Sequence, residues 1–497
     1  MRIRIGLPLK MVIAILMAIT LGSGYKEGLI TAWLRLSALH EGSNEYSLAV
    51  KACENALALA PYASPLYMRL GEIYLKQGRY DLAEGAFALA FRYNSGLTAV
   101  TKWGDVLFAR GEVEEALEKW RKALRLNPAD AGLHYRVGLA LMRIGRLEDA
   151  IVEVERALPE IPQAHCLLAL LKAPQSPDAA LAHAERCELP AWKGWPWLPL
   201  EVQDLKELEE ILTEPSETAR LMGLGGLYLR LGEPHLAERT FLKATVQTPG
   251  SPEAQAYLGY ARSLLGKDPE PEFARALRLK YTLPLTHYLW GLHLKSRGKL
   301  EAAAQEFAYA LSQDPENPAY CAALADVALM RGDYREAERW YRKATDLAPD
   351  EPGFWLLLAQ FYVDVLLRGD QEAIGAAQEA INLAPDNPKA YELLGRAYYY
   401  SGRSDLALHY LQKSLQLAPV WACGPEPEGE GTALTPIGPC LSPEALRIMY
   451  YLGTVYASRG EREAALELFH RIQELAPDSQ WAEKARGVER HLGVNTF

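Results

Sequence analysis

Histidine, cysteine and acidic residues are spread along the 497-residue chain without the spacing that metal or nucleophilic chemistry requires. His287 and His293 lie six residues apart, which places them on different faces of a helix. The sequence contains no H-E-x-x-H, C-x2-C, G-x-x-x-x-G-K-[S/T] or G-x-S-x-G motif. Adjacent acids such as Glu114 and Glu115 are typical of solvated helix faces. We therefore predict a protein that is not an enzyme and that binds neither a metal nor a cofactor.

The composition narrows the class of protein further. Lys and Arg number 53 against 63 Asp and Glu, which gives a formal net charge of −10. A nucleic-acid binder driven by phosphate contacts needs a basic face, so nucleic acid is not an expected partner. Hydrophobic residues make up 49% of the chain, a fraction typical of folded proteins rather than disordered ones.

Two pairs of cysteines have spacings that permit a disulfide in an oxidising compartment. Cys423 and Cys440 lie within a segment rich in Pro, Gly and Glu, and Cys166 and Cys187 flank a short degenerate helix pair. For the first pair, two free exposed thiols are the alternative. Cys53 is interpreted as a buried core thiol because it takes the place of a core aromatic residue.

Three tryptophans, Trp192, Trp195 and Trp197, lie within six residues between Pro190 and Pro199. Prolines at this density exclude a regular helix. The indole rings are predicted either to fill a seam between two arms of the fold or to form an aromatic platform for a ligand or partner.

The N-terminus has the features of a targeting segment. Arg2, Arg4 and Lys10 precede an apolar run from Met11 to Leu21. The stretch 5–25 carries one charge and is close to the ~20 residues that span a bilayer. We predict an uncleaved single membrane anchor with an extracytoplasmic body, because basic flanks stay in the cytoplasm. A cleaved signal peptide followed by secretion is the alternative.

The remainder of the chain repeats one pattern about ten times. Gly104 and Gly138 are 34 residues apart, as are Pro128 and Pro162. Each unit combines a Leu-Gly or similar pair, an apolar residue three positions later, then an alanine, an aromatic residue four positions after it, and a final proline. This spacing predicts two amphipathic helices, the second ended by the proline. Such pairs expose an apolar side, so they must stack into a solenoid.

These markers resemble the tetratricopeptide repeat (TPR) family, whose W-x2-L-G-x2-Y…A-x3-F…A…P pattern recurs here from about residue 29 to residue 492. The resemblance implies an all-α, right-handed superhelical solenoid of stacked antiparallel helix pairs, with eleven to twelve pairs in two arms. The predicted parts are a signal or anchor segment 1–26, an N-terminal arm 27–188, a Trp/Pro-rich connector with a helix 189–216, a central array 217–419, an insertion loop 420–443, and a last repeat with a capping helix 444–497.

In proteins of this family the first helix of each pair lines the concave surface, and the second, fifth, ninth and twelfth positions face the ligand. The Lys and Asn set with which some members bind a terminal carboxylate is not kept in this chain. The corresponding side chains are instead mostly apolar and aromatic, which suits an amphipathic helix or an extended apolar segment. The predicted ligand-contact residues are Met68, Glu72, Phe108, Tyr135, Met142, Tyr260, Tyr288, Leu292, Asp326, Gln360, Glu392, Arg396, Tyr399 and Tyr450. The alternative is that many of these side chains pack inside a tightly wound superhelix.

We therefore expect a non-catalytic scaffold of the bacterial cell envelope that binds a protein or peptide partner in its concave groove. The alternative is an accessory scaffold of polysaccharide or O-antigen assembly or export, with an aromatic surface that contacts glycan. This second hypothesis rests on analogy with other solenoids rather than on particular residues.

Overall fold

The computed structural model describes residues 25–94, 96–188, 200–418 and 442–494. Within these ranges the chain forms 26 α-helices and no strand. Twenty-four of the helices pack as twelve consecutive pairs, each made of a first and a second helix joined by a short turn. The predicted all-α solenoid of stacked helix pairs is confirmed.

The helices follow one another in chain order. The first five pairs comprise α1 (Tyr25–Gly42), α2 (Tyr46–Leu59), α3 (Ser64–Lys76), α4 (Tyr80–Arg92), α5 (Gly96–Ala109), α6 (Val113–Leu126), α7 (Ala131–Arg143), α8 (Leu147–Ala157), α9 (Ala164–Lys172) and α10 (Pro177–Ala184). The unpaired α11 (Val202–Leu212) precedes pairs six to nine, which comprise α12 (Glu217–Arg230), α13 (Pro234–Gln247), α14 (Pro252–Leu264), α15 (Glu270–Leu279), α16 (Pro284–Ser296), α17 (Leu300–Gln313), α18 (Pro318–Met330) and α19 (Tyr334–Leu347). The last three pairs and the final helix comprise α20 (Pro352–Gln360) with a π-helical turn (Phe361–Val365), α21 (Gln371–Leu383), α22 (Pro388–Tyr400), α23 (Ser404–Leu417), α24 (Pro443–Ser458), α25 (Arg462–Leu475) and α26 (Gln480–Val494).

A glycine of the first helix marks the close crossing within most pairs. A β-carbon on Gly225 of α12 would lie 2.3 Å from Cζ of Phe241 in α13, and one on Gly71 would lie 2.7 Å from the ring of Phe87. Both phenylalanines are fully buried. Glycine is required at these positions because the aromatic ring occupies the space that a side chain would take. This close crossing explains why a glycine and an aromatic residue recur at these two positions of the repeat.

The predicted arms share one core. A cluster of buried side chains extends from Tyr46 through the degenerate pair α9–α10 to Ala261 in α14. Across this junction the hydroxyl of Tyr228 donates a 2.7 Å hydrogen bond to the carbonyl oxygen of Leu170. The packing is therefore continuous between the N-terminal arm and the central array. The connector residues 189–199 lie outside the described residues.

Helix α7 also contacts α13, which lies two pairs further along the chain. Nη2 of Arg143 lies 2.9 Å from Oε1 of Glu233, the residue immediately before α13, and Arg239 in α13 pairs with Glu148. The degenerate pair is short enough that its two neighbouring pairs meet directly. We call this contact the arm junction.

The arm junction should make stability depend on pH. Burial raises the pKa of Glu233 from 4.5 to about 7, although the guanidinium of Arg143 opposes the shift. The folded state thus holds a proton that the unfolded chain has already released above pH 4.5, so the stabilisation from this group is lost as the pH rises through 7. Because Arg143 is partly exposed and the pair is screened, we expect a loss of about 1–2 kcal/mol between pH 5 and pH 8.

Urea unfolding of the wild type and of Glu233→Gln at several pH values measures this dependence. The variant should be more stable than the wild type at pH 8 and should lack this component of the pH dependence. Glu210→Gln, at an exposed position of α11, should follow the wild-type curve. Parallel curves for the wild type and Glu233→Gln would show that the carboxyl of Glu233 has no raised pKa.

The prediction of a single N-terminal membrane span with an extracytoplasmic body is corrected by the structure. No helix within the described ranges is both long and apolar enough to cross a membrane. Helix α1, which begins at Tyr25, carries Lys26, Glu27, Arg35 and Glu41 and packs with α2 as the first helix of the first pair. Residues 1–24 lie outside the described residues.

Candidate partner-binding surface

Three successive first helices bring together a set of tyrosines that we call the tyrosine patch. It consists of Tyr257 and Tyr260 in α14, Tyr288 in α16 and Tyr320 in α18, with Leu292 beside them. The ring centroids of Tyr288 and Tyr320 are 5.2 Å apart. Burial, with a smaller contribution from Tyr260, raises the pKa of Tyr288, and burial raises that of Tyr320 to about 12. These phenols therefore stay protonated at neutral pH, and each keeps an O–H group that a ligand can use as a hydrogen-bond donor.

Local sequence places these side chains on one surface. Tyr257 and Tyr260 are three residues apart and Tyr288 and Leu292 are four apart, so each set shares a helix face. Each of the three helices begins with a proline, which sets the first helical turn at the same position of each repeat. The ring of Tyr257 stacks on that of Phe241 at 5.1 Å, which fixes one edge of the patch to the core.

The tyrosine patch offers unused hydrogen-bonding groups. Among the described residues, none of its four hydroxyl groups has a hydrogen-bond partner, and three of the rings are only half-buried. At its edge, Nζ of Lys295 lies 2.8 Å from Oδ2 of Asp326. Tyrosine combines a large apolar face with a polar tip, and this combination is favoured where proteins bind one another. The arrangement suits a partner that presents apolar side chains together with oxygen acceptors.

A set of ion pairs joins first helices of successive repeats, and sequence reasoning missed it. The pairs are Asp105–Arg136 (2.9 Å), Lys295–Asp326 (2.8 Å), Asp364–Arg396 (2.5 Å) and Glu392–Arg447 (2.7 Å). Two of the pairs have a sequence separation of 31 residues. Opposite charges at that spacing could have predicted these two ion pairs from the sequence. These ion pairs join first helices of neighbouring repeats.

Four of the predicted ligand-contact residues lie in the interior, which corrects their assignment to the groove. Tyr135 and Met142 are fully buried because α7 is covered by its neighbours in the stack and by α13. Glu392 and Arg396 have side chains that are 1% and 4% exposed and that are engaged in the ion pairs above. The guanidinium of Arg396 also lies 4.2 Å from the ring centroid of Tyr451.

The other predicted groove positions are at least partly accessible. Phe108 packs against Trp120 with ring centroids 5.3 Å apart. Oε2 of Glu72 lies 3.8 Å from Nη1 of Arg69. Tyr450 packs against Trp481 of the last helix at 5.5 Å. Half-buried or exposed positions in the list are Met68, Glu72, Phe108, Tyr260, Tyr288, Leu292, Asp326, Gln360, Tyr399 and Tyr450. Their contact with a ligand stays a prediction.

The cysteines divide into three kinds. Cys166 and Cys187 form a disulfide that joins the start of α9 to the residues after α10. Cys53 and Cys321 are buried thiols, and burial raises the pKa of both. The pair Cys423 and Cys440 lies outside the described residues, as do Trp192, Trp195 and Trp197. In the part of the chain that the structure describes, no group of three or more His, Cys, Asp and Glu side chains could hold a metal ion.

Stacked helix pairs that cross at a glycine and an aromatic residue define a helical-repeat solenoid. Five models of this repeat match the chain: one described as "TPR repeat" at residues 104–145, and four described as "Tetratricopeptide repeat" at 34–96, 294–361, 388–419 and 447–479. The chain is a tetratricopeptide repeat protein.

The relatives that this chain matches share about a quarter of its residues in the aligned regions. Cellulose synthase operon protein C of Pseudomonas fluorescens is 23% identical over 369 residues, which are 64% of this chain and 28% of that protein. The human Cell division cycle protein 16 homolog is 26% identical over 223 residues, which are 41% of this chain and 34% of that protein. The chain therefore spans a minor part of the length of either relative.

Solved structures show likeness in fold alone. YrrB, described as a TPR protein with an unusual peptide-binding site, is 20% identical, with a TM-score of 0.33 over 43% of this chain and 97% of that chain. Yeast Tom70 is 14% identical, with a TM-score of 0.32 over 87% of this chain and 97% of that chain.

Proposed function

We propose that this protein is a non-catalytic scaffold that binds an apolar or amphipathic segment of a partner protein on the first-helix face, with the tyrosine patch as the centre of contact. The observation that carries the proposal is the set of four neighbouring tyrosines on α14, α16 and α18 whose hydroxyl groups have no hydrogen-bond partner within the described ranges. Interfaces concentrate their binding energy in a few aromatic side chains that are partly pre-buried. Partner binding is also the common use of tetratricopeptide repeats.

The neighbouring repeats support the patch as a rigid platform. The ion pair Lys295–Asp326 joins α16 to α18, and the hydroxyl of Tyr341 donates a 2.7 Å hydrogen bond to Oδ1 of Asp326. The ion pair fixes the two first helices relative to each other, and the hydrogen bond fixes Asp326 against the second helix of its own pair. A preorganised surface binds more tightly because it loses less conformational entropy on association. An amphipathic helix could place its apolar side chains on the rings and its terminal carbonyl groups near the hydroxyls.

Tyr288→Ala should weaken binding of a selected segment by tenfold or more, because it removes the central ring of the patch. The segment would be selected against the wild-type chain from a phage-displayed library of short helical peptides, and affinity would be measured by fluorescence anisotropy. Tyr288→Phe should produce a smaller loss, since it removes only one hydrogen bond. Tyr334→Ala changes an exposed tyrosine at the start of the second helix α19 and should bind as the wild type does.

The proposal fails if selected peptides bind equally well to Tyr288→Ala and to Tyr334→Ala. Circular dichroism of each variant separates a lost contact from a lost fold. A photocrosslinking amino acid at position 260 provides a second measurement that leaves Tyr288 intact. It should become attached to the selected peptide, whereas the same group at position 334 should not.

A second candidate function is an accessory role in polysaccharide assembly. It is favoured by the match to cellulose synthase operon protein C, and aromatic rings such as those of the tyrosine patch stack on sugars. Titration with soluble cello-oligosaccharides distinguishes the two candidates. Binding of the oligosaccharide that is lost in Tyr288→Ala would favour this function over the peptide scaffold.

A further inference from the structure

The two ends of the array contact each other. Glu474 lies near the end of α25 in the twelfth pair, and Ser47 lies in the first turn of α2 in the first pair. The backbone N–H of Ser47 donates a 2.8 Å hydrogen bond to Oε2 of Glu474, and its hydroxyl donates a second one to Oε1. These residues are 427 positions apart in the sequence.

The carboxylate of Glu474 replaces a helix cap that α2 lacks. Glu45, the residue before α2, makes no cap hydrogen bond with its side chain, which instead lies 2.6 Å from Nδ1 of His40. The first N–H groups of a helix have no partner within the helix, and a negative charge near them is favourable. Glu474 supplies both the missing acceptor and the negative charge.

A reciprocal contact caps α25. Nε2 of Gln77, at the end of α3, donates a 3.0 Å hydrogen bond to the carbonyl oxygen of Glu474. That carbonyl belongs to the last turn of α25, where carbonyl groups have no partner within the helix. Gln77 is 5% exposed, so this contact is shielded from water. Each end of the array therefore satisfies backbone groups that the other end leaves unpaired.

Two further polar contacts and one apolar side chain add to this contact. Nη1 of Arg471, in α25, donates a 3.5 Å hydrogen bond to the carbonyl oxygen of Ser43. Nε of Arg79 lies 2.8 Å from Oδ2 of Asp478, just beyond α25. Leu475 is 4% exposed and belongs to the buried cluster that runs through the N-terminal helices. The last pair thus shares a core with the first pairs as well as with its neighbours in the chain.

We propose that Ser47, Gln77, Arg79, Glu474 and Asp478 form a latch that closes the array end to end and that releases as a unit. Neighbouring pairs are held by clusters of many buried apolar side chains, whereas this contact adds one buried apolar residue, Leu475, to a few hydrogen bonds and an ion pair whose Asp478 side chain is 66% exposed. Exposed ion pairs contribute little and are screened by salt. The latch is thus the contact that opens first, and its opening leaves the core within each helix pair intact. It does not depend on the tyrosine patch binding a partner.

The amide of Ser47 reports the state of the latch directly. This N–H lies in the first turn of α2 and has no acceptor within the helix. Among the described residues, its hydrogen bond to Glu474 is the one that can slow its exchange with solvent. Hydrogen exchange with single-residue resolution should therefore show a protected Ser47 amide in the full-length wild type. Arg79→Asp changes the latch at a different contact, and it should accelerate exchange at Ser47 roughly fivefold because attraction to Asp478 becomes repulsion.

Two further variants make this test decisive. The reversed pair Arg79→Asp/Asp478→Arg should restore the wild-type exchange rate at Ser47, which a purely local loss of structure would not do. Arg146→Asp makes the same charge change in the exposed pair with Asp149 and should leave Ser47 unaffected. An unprotected Ser47 amide in the wild type would overturn end-to-end closure. An unchanged rate in Arg79→Asp would overturn release as a unit.

Discussion

Gly225→Ala should lower the free energy of unfolding by about 1 kcal/mol, although alanine is the better helix former. The new β-carbon would lie 2.3 Å from Cζ of Phe241, a distance that the buried ring can relieve only by moving within a filled core. Overpacking of this kind costs about 1–3 kcal/mol. It also outweighs the roughly 1 kcal/mol that alanine gains over glycine in a helix interior.

The neighbouring glycine provides the control. A β-carbon on Gly226 would have no atom within 4 Å, so Gly226→Ala should stabilise the protein by about 0.5–1 kcal/mol. Urea unfolding gives the two values, and hydrogen exchange in α12 and α13 shows whether the effect is local, as expected for stacked repeats. If both substitutions shift the free energy of unfolding in the same direction, the close crossing at Gly225 does not determine whether alanine stabilises or destabilises the protein there.

Removal of the Cys166–Cys187 disulfide should destabilise the degenerate pair by about 3 kcal/mol, the loss expected for a closed loop of this length. Helices α9 and α10 have 9 and 8 residues and form the shortest of the described pairs, so we expect this pair to depend more on the crosslink than the others would. The effect should extend to α12 and α13, because Tyr228 and Lys243 both donate hydrogen bonds to backbone carbonyls of the degenerate pair.

Thermal unfolding of the wild type with and without reductant measures this loss, and Cys166→Ser/Cys187→Ser should match the reduced wild type. Reductant should not change the double variant. Alkylation under native conditions should leave both cysteines unmodified until reductant is added. Rapid labelling of Cys166 in unreduced protein would show that the bridge is absent.

The local elements of this fold could be predicted from the sequence because their causes lie within a few tens of residues. Gly225 and Phe241 are sixteen positions apart, and their contact follows from one helix, one turn and one helix. Left-handed turn residues such as Gly111 and Gly332, with φ of 86° and 78°, likewise follow from the local need to end a helix. Helix existence, pairing and stacking therefore needed no tertiary information.

The candidate surface was only partly predictable. Tyr260, Tyr288 and Leu292 occupy the positions that the repeat pattern indicated, and they do lie together. Tyr135 and Arg396 occupy equivalent positions but are buried, because burial depends on what covers a repeat rather than on its own motif. The predicted membrane span reflected the hydropathy of the first residues, whereas the helix that begins at Tyr25 is an ordinary charged repeat helix.

The sequence by itself determined the repeat, its eleven to twelve helix pairs and the residues at which most pairs cross, since these follow from hydrophobic period and side-chain size. Only the tertiary structure decided that the two arms share a core, that first helices are joined by ion pairs, and that Glu474 caps α2. The physical reason is that the small rotations between neighbouring repeats add up along the stack. Whether residues hundreds of positions apart meet depends on that sum, which no single repeat encodes.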